Sequence, residues 1–364
     1  MRIMQATPQP IPITLLTGFL GSGKTTLLNQ LLQSAEMART LVIINEFGAI
    51  GLDHLLVAHS SEEIILEMRS GCLCCTIRGD LAKTLRDALW RFSRQGQRQF
   101  DRVLIETTGL ADPVPVLHTL TRDPALVDRY RLTGVITCID LRNGAQTLDT
   151  HDESRKQAAL ADLLLLTKPD LASAAQIAGL QQRLRQLNPG AGQITVPHGE
   201  VPADRILQAG LQQAAGNDAD VLRWLNLKAY DVQDVQDVHE EHEEHEHSHR
   251  HQHDVNRHDD HIRAYCFHID QPIPRPAFQD WLDALLALMG ERMLRIKGIV
   301  HIAGEPGPSV IHGVQHVLHP PVTLAAWPDA DRRTRLVFIT RDIERSAIAA
   351  TLAPFSGVAG GDTH

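Results

Sequence analysis

The chain has 364 residues, with 35 Lys and Arg against 44 Asp and Glu, and its formal charge of −9 argues against general nucleic-acid binding. Its composition, 43% hydrophobic and 4% aromatic, is enough for cores built from Leu, Val, Ile and Ala, and no apolar run reaches membrane-spanning length. The length fits one large domain plus a smaller one, and a cytoplasmic protein with no membrane partner is expected.

After a lead-in over residues 1–10 with no hydrophobic signal core, strands are predicted at 13–17, 41–45, 64–68, 102–106, 134–140 and 162–167. Helices are predicted between them at 24–32, 81–92, 113–120 and 155–160, and another follows at 174–187. Short apolar strands alternating with helices give an α/β domain, expected over 11–228, with a doubly wound, mainly parallel sheet. Nucleotides bind such sheets at the carboxyl ends of the strands. Composition changes after Val238: His239, His242, His245, His247, His249, His251 and His253 alternate with Glu and other polar residues, with no apolar side chain among them. Such a tract cannot bury a core, so 229–261 is read as a linker. Order resumes as a smaller α+β domain over 262–355. Its predicted strands lie at 264–269, 294–302, 310–318 and 335–339. Phe278, Trp281, Leu282, Leu285 and Met289 recur at helical spacing, and a last helix is predicted at 343–352. On this reading His312 and His316 share one strand face, and with His301 and His319 they are taken as surface or client-contact residues. Residues 356–364 are a glycine-rich tail.

The first predicted strand runs into Gly18-Phe19-Leu20-Gly21-Ser22-Gly23-Lys24-Thr25-Thr26, which meets the G-x-x-x-x-G-K-[ST] pattern in its strand–loop–helix setting. Gly18, Gly21 and Gly23 let the backbone curl so that successive N–H groups, with those of Ser22 to Thr26, face one anion. The following helix adds its positive N-terminal end. Lys24 is expected to reach the β/γ-phosphates and the Thr25 hydroxyl to ligate Mg²⁺. The apolar run at 103–105 ends in Glu106, placed to hold Mg²⁺, and the Gly109 N–H follows to sense a γ-phosphate. Leu110 stands where Ras-like GTPases place a water-orienting Gln, which predicts slow hydrolysis, accelerated by a partner or by a second copy in a homodimer. The strand at 162–167 leads into Thr167-Lys168-Pro169-Asp170, similar to the guanine-reading N-K-x-D, with Thr in place of Asn. The Asp170 carboxylate can accept from guanine N1–H and the 2-amino group, neither of which adenine offers, and Lys168 would lie along the base. The alternative is that Asp170 only caps the helix that starts at 174.

Three of the five cysteines, Cys72, Cys74 and Cys75, fall within four positions. That density suits metal or redox chemistry better than a disulfide scaffold. Thiolates are soft ligands for Zn²⁺, Cu⁺ or Co²⁺, and two or three of them with an outside ligand such as Glu46, His54 or a linker histidine would complete a tetrahedron. A redox-active thiol pair is the alternative. Cys138 and Cys266 read as small buried hydrophobes. The histidine tract could capture metal through neutral imidazoles, or be a merely solvated linker.

Together the motifs at 18–26, 45–48 (Asn-Glu-Phe-Gly), 71–75, 106–113 and 167–170, the histidine-rich linker and the extra C-terminal domain resemble the CobW-like family of P-loop GTPases, the group that includes zinc metallochaperones. The resemblance implies a GTP-binding domain, slow GTP hydrolysis, transition-metal binding at C-x-C-C, and delivery of metal, usually zinc, to a client metalloprotein. It leaves two other readings open: an accessory GTPase for cobalt handling in cobalamin synthesis, and a metal store or sensor with a structural nucleotide site. Ala49 departs from the family pattern, where many relatives carry a second acid.

Overall fold

A computed structural model describes residues 9–45, 63–67, 73–77, 81–207, 209, 221, 225–226, 261–315, 317–318 and 321–355. Glu46, His54, Cys72, the histidines of 239–253, His316 and His319 lie outside these residues. The first strands are β1 (Ile11–Gly18), β2 (Thr40–Asn45), β3 (Glu63–Glu67) and β4 (Leu73–Ile77). A small hairpin, β5 (Ser93–Arg94) and β6 (Gln97–Arg98), precedes β7 (Arg102–Thr107), β8 (Tyr130–Asp140), β9 (Leu163–Thr167) and β10 (Gly192–Val196). Eight of these form one sheet in the order β10-β9-β8-β1-β7-β2-β4-β3. The path from β9 to β4 is parallel throughout, and β3 adds an antiparallel edge. The chain order jumps across β1, and the strand ends that flank such a switch form the crevice where α/β sheets bind ligands.

The chain divides into two compact units. One comprises Met1–Arg142, Leu163–Ala172 and Ile194–Gln212. Here helix α1 (Lys24–Leu31) turns Leu27, Leu28 and Leu31 onto Leu16, Val42, Leu104, Ile136 and Leu165 of the sheet. The i, i+1, i+4 spacing of those leucines is the inner stripe of a helix. Also in this unit are α2 (Leu81–Arg91), α3 (Val114–Arg122) and α4 (Pro124–Val127).

The other unit comprises Asn143–Asp162, Ser173–Gln193 and Gln213–His364. It gathers α5 (Gly144–Thr150), α6 (Asp152–Leu160) and α7 (Ala174–Leu187) with an antiparallel sheet. That sheet runs β11-β16-β12-β13-β14, with β15 also on β13. Its strands are β11 (Ile262–Ile269), β12 (Met293–Val300), β13 (Ser309–Val314), β14 (Val317–Leu318), β15 (Val322–Thr323) and β16 (Thr334–Arg341). Two more helices, at Arg275–Met289 and Arg345–Leu352, pack Phe278, Trp281, Leu282, Leu285, Ile348 and Leu352 onto Ile296, Val300, Ile311 and Phe338. Among the described residues no helix is long and apolar enough to cross a membrane.

Several expectations change. The cysteine motif does not follow the last strand before α2; Cys74 and Cys75 lie inside one, β4. β10 and helices α4 and α5 were not foreseen. The single strand expected at 310–318 is two: Val314 pairs with Val317 and Gly313 with Leu318, and Gln315 takes φ 50° at the turn between them. A period-2 argument cannot run across that turn, so the expectation that His312 and His316 share a face is withdrawn. His312 is also no surface residue. It is buried at 8% exposure, directly across from Lys297.

That second unit holds a charged cluster with no counterpart in the sequence reading. Arg295 and Lys297 alternate on one face of β12, both buried, and both ion-pair with Asp162, whose side chain is 3% exposed. The Lys297 Nζ–Asp162 Oδ1 distance is 3.0 Å, and Arg295 also donates to the Leu160 carbonyl at the end of α6. Burial alone would raise the Asp162 carboxyl, but Arg295 and Lys297 outweigh it and hold the group far below the usual carboxylate range. Burial, reinforced by Arg295, pushes the Lys297 ammonium down to about 8, even with Asp162 pulling the other way.

Candidate nucleotide site and metal motif

The parallel ladder places three motif residues, Gly18, Glu106 and Thr167, at neighbouring strand ends together with Asp140. Gly18 closes β1 and pairs with Cys138 of β8; Glu106, near the end of β7, pairs with Leu16 and Ile44; Asp140 closes β8 opposite Thr167, the last residue of β9. Gly18 has φ 140°, and a Cβ there would lie 2.5 Å from the Cys138 carbonyl oxygen. Only glycine lets β1 and β8 approach so closely as the loop leaves the sheet. Gly23, with φ 90°, forms the N-cap of α1. Cys138 is buried, as expected, and burial pushes its thiol up to about 12, so it stays a protonated packing group.

The loop is braced from several sides. Lys24 is buried and donates to the carbonyls of Gly18 (2.7 Å) and Phe19 (3.2 Å), and the Ser22 N–H donates to the Phe19 carbonyl (3.0 Å). Thr167 donates its hydroxyl to the Ser22 carbonyl (2.7 Å) and, at 3.2 Å, to that of Ile139. The Thr167 side chain therefore ties β9 to the phosphate loop. Lys168, with φ 55°, donates Nζ to the Gly21 carbonyl (2.6 Å) and to Asp140 Oδ2 (2.8 Å). Asp140 had not been singled out in the sequence; an acid ending a strand is too common to draw notice. Asp170 is exposed in a short 3₁₀ turn, Pro169–Leu171. The cap of α7 is Ser173, with Gln176 completing a capping box, so Asp170 has no capping role there.

Several features fit a phosphate with Mg²⁺. The buried Ser22 hydroxyl meets no hydrogen-bond partner among the described residues. Buried hydroxyls are ordinarily bonded, and a ligand oxygen would supply what this one lacks. Thr25 is exposed on the first turn of α1, as is Thr26, and Glu106 is buried at 5% exposure. A hydroxyl and a carboxylate are hard oxygen donors, the set that Mg²⁺ prefers. Gly109 closes the cradle, since a Cβ there would come within 2.6 Å of both N and Cα of Leu20. Leu110 beside it is 62% exposed, and its apolar side chain has no group to orient a water as a Gln would.

Of the metal motif, the described part is the backbone of β4. Val42 pairs with Cys74 and Ile43 with Cys75 on one side, and Leu66 and Ile65 face them on the other. Among the described residues no group of three or more His, Cys, Asp or Glu side chains is placed to hold a metal ion.

Residues 12–195 match the family described as CobW/HypB/UreG, nucleotide-binding domain, and residues 262–355 match the cobalamin synthesis protein cobW C-terminal domain. The zinc chaperone YjiA of Escherichia coli is 31% identical over 347 residues, covering 94% of this chain and 98% of that protein. The zinc chaperone CobW of Pseudomonas aeruginosa is 32% identical over 378 residues, covering 94% and 90%. The crystal structure of Zn(II)-bound YjiA GTPase from E. coli superposes with a TM-score of 0.70 at 29% identity, over 96% of this chain and 99% of that one. With both sequence regions matched and the fold shared along nearly the whole length, the chain belongs to the CobW/HypB/UreG family of nucleotide-binding proteins and carries the cobW C-terminal domain.

Proposed function

We propose that this protein is a cytoplasmic GTP-hydrolysing zinc chaperone, which binds Mg²⁺·GTP at the phosphate loop and passes zinc to a client metalloprotein in a nucleotide-dependent way. Support comes from relatives named as zinc chaperones. The observation that carries the coupling is the sheet itself. Cys74 and Cys75 lie on β4, β4 pairs with β2, and β2 pairs with β7 at Glu106. The thiol strand is therefore two ladders from the acid that would sit at the Mg²⁺.

In this reading 11–228 is the GTPase domain, 229–261 a metal-capturing linker and 262–355 the C-terminal domain. Gly18, Gly21, Ser22, Gly23, Lys24, Thr25 and Thr26 hold the phosphates. Thr25 and Glu106 hold Mg²⁺, which would neutralise phosphate charge when bound. Lys24 and the loop N–H groups stabilise charge as the γ-phosphoryl leaves, and the Gly109 N–H senses whether it is there. Asp170 reads guanine. Zinc is cargo, held by Cys72, Cys74 and Cys75 with an outside ligand such as Glu46, and fed by the histidines of 239–253. With Leu110 in the water-orienting place, turnover is slow until a partner or second copy intervenes.

The test is zinc affinity, by competition with a chelating dye, in protein lacking 239–261, compared between apo, Mg²⁺·GDP and Mg²⁺·non-hydrolysable GTP states. A difference of about tenfold, ~1.4 kcal/mol of coupling, is expected between the nucleotide states. It should vanish when Cys72, Cys74 and Cys75 are changed to Ser. By reciprocity zinc must then shift GTP and GDP affinity by the same ratio. Equal zinc affinity in all three states sinks the nucleotide-gated reading.

A further inference from the structure

We propose that Asp140 is a positioning residue of the nucleotide site. It fixes the base-side lysine, Lys168, onto the phosphate loop, so that the two halves of the site hold one shape. The proposal rests on the GTP-binding reading above and goes beyond it by assigning a role to a residue outside the recognised motifs.

Asp140 closes β8 opposite Thr167, and its two carboxylate oxygens do different work. Oδ1 accepts the Arg142 N–H (2.7 Å), which fixes the turn leaving β8 and with it the direction of the carboxylate. Oδ2 accepts Lys168 Nζ at 2.8 Å, and the same ammonium donates to the Gly21 carbonyl at 2.6 Å. Gly21 has φ 75° and is exposed at the outer bend of the phosphate loop. Lys168 is thus the strut between the strand that leads to the base reader and the loop that holds phosphate, and Asp140 is its footing.

The strut needs a footing for two reasons. Lys168 sits in the left-handed region, where a non-glycine residue is disfavoured and persists only when its surroundings hold it. A lysine stem is also flexible, with three rotatable donors, and one bond to an exposed carbonyl would not keep it in one rotamer. The pair is only partly screened: the Asp140 side chain is 10% exposed and that of Lys168 35%. Asp140→Asn offers one oxygen where Asp offers two, so either the Arg142 N–H or the Lys168 ammonium loses its acceptor. The loop then samples more states when empty, and every nucleotide must select the competent one.

The experiment is a double-mutant cycle in the full-length chain, with binding of a fluorescent GDP and a fluorescent non-hydrolysable GTP measured for wild type, Asp140→Asn, Lys168→Ala and the double variant. Asp140→Asn should weaken both nucleotides by the same factor, roughly fivefold to tenfold for a part-exposed pair. In turnover, KM should rise with kcat little changed, the mark of lost uniform binding. In the Lys168→Ala background the same change should cost less than about twofold, because its target is gone. An equal loss in both backgrounds overturns the proposal, since Asp140 would then act independently of Lys168. Thermal midpoints check folding, and Asp140→Ser, which keeps a hydroxyl acceptor for Arg142, is the second variant should Asp140→Asn not fold. Wild type is the control for the underlying reading. Failure to bind guanine nucleotide would sink that reading alone, and the cycle would then be decided with whichever nucleotide the wild type binds.

Discussion

Replacing Asp162 by Ala is expected to destabilise the protein by about 3–5 kcal/mol, the usual cost of leaving a buried charge without its counter-ion. Here it strands two cations, Arg295 and Lys297, on one face of β12. Arg295→Met should cost less, because Lys297 remains within 3.0 Å of Asp162 and neutralises it. Lys297→Met should be neutral or stabilising at pH 7, since it removes one buried ion and leaves Asp162 and Arg295 as a balanced pair. The pH dependence follows in sign. The folded-state value of Lys297, about 8, lies below the ordinary 10.5, so between the two the unfolded chain binds a proton that the folded chain does not. Stability from this group therefore rises as pH goes from about 8 towards 10.5, by an amount on the order of 3 kcal/mol, and Lys297→Met should abolish that rise. Asp162 works at the other end. Its depressed value gives stability that is present above the unfolded value near ~4 and lost as pH falls below it. Urea denaturation of wild type and the three variants at pH 7 and pH 9.5 measures the charge counts and the alkaline rise, and the same titration at acid pH, below the unfolded carboxylate value of ~4, measures the acid loss. If Arg295→Met proves costlier than Asp162→Ala, the charge-count argument fails.

No local pattern of residues hints at that cluster. Arg295 and Lys297 flank Ile296 in a strand that was correctly placed, but alternating charge on a strand ordinarily means a solvent face. The carboxylate that reverses the reading lies 133 residues away from Arg295, and no local pattern reports a partner at that distance. The break in the strand at Gln315 was hidden for a different reason. A two-residue turn usually announces itself with Gly or Asn, whereas here Gln315 takes the left-handed conformation and no such residue marks the break between Val314 and Val317. The phosphate loop is the opposite case. Its chemistry is local, with glycines where the backbone must turn or approach closely and a lysine at fixed spacing, so the residues alone sufficed to place it. The tie from Thr167 to the loop was half-visible. The motif is legible with Thr167 in place of Asn, but the partner of its hydroxyl is not, and the pairing of β9 with β8 brings it onto Ser22. Leu73–Ile77 is a short β-prone run whose central residues, Cys74 and Cys75, carry no polar–apolar alternation that would mark it as the strand β4.

Gly109→Ala should separate binding from hydrolysis. The added methyl would lie 2.6 Å from both N and Cα of Leu20, too close for any rotamer to relieve, so backbone must move on one side. The two sides differ in bracing. The phosphate loop is held by Lys24 on Gly18 and Phe19, by Ser22 on Phe19, by Thr167 on Ser22 and by Lys168 on Gly21. The turn after β7 closes with a longer bond, from the Ala111 N–H to the Thr108 carbonyl at 3.2 Å. The segment that follows Glu106 should therefore retreat while the loop keeps its shape. GDP, which needs only the loop and the base reader, should bind within about threefold of wild type, a shift of at most ~0.7 kcal/mol. In the proposed site hydrolysis draws on the Gly109 N–H at the γ-phosphate, and loss of one preorganised donor to a transition state costs about 10²- to 10³-fold in rate. Single-turnover GTP hydrolysis and GDP titration on the same preparation read both numbers. If GDP affinity falls as steeply as the rate, the phosphate loop is the softer side, and the bracing assigned to Thr167 and Lys168 is not what holds it.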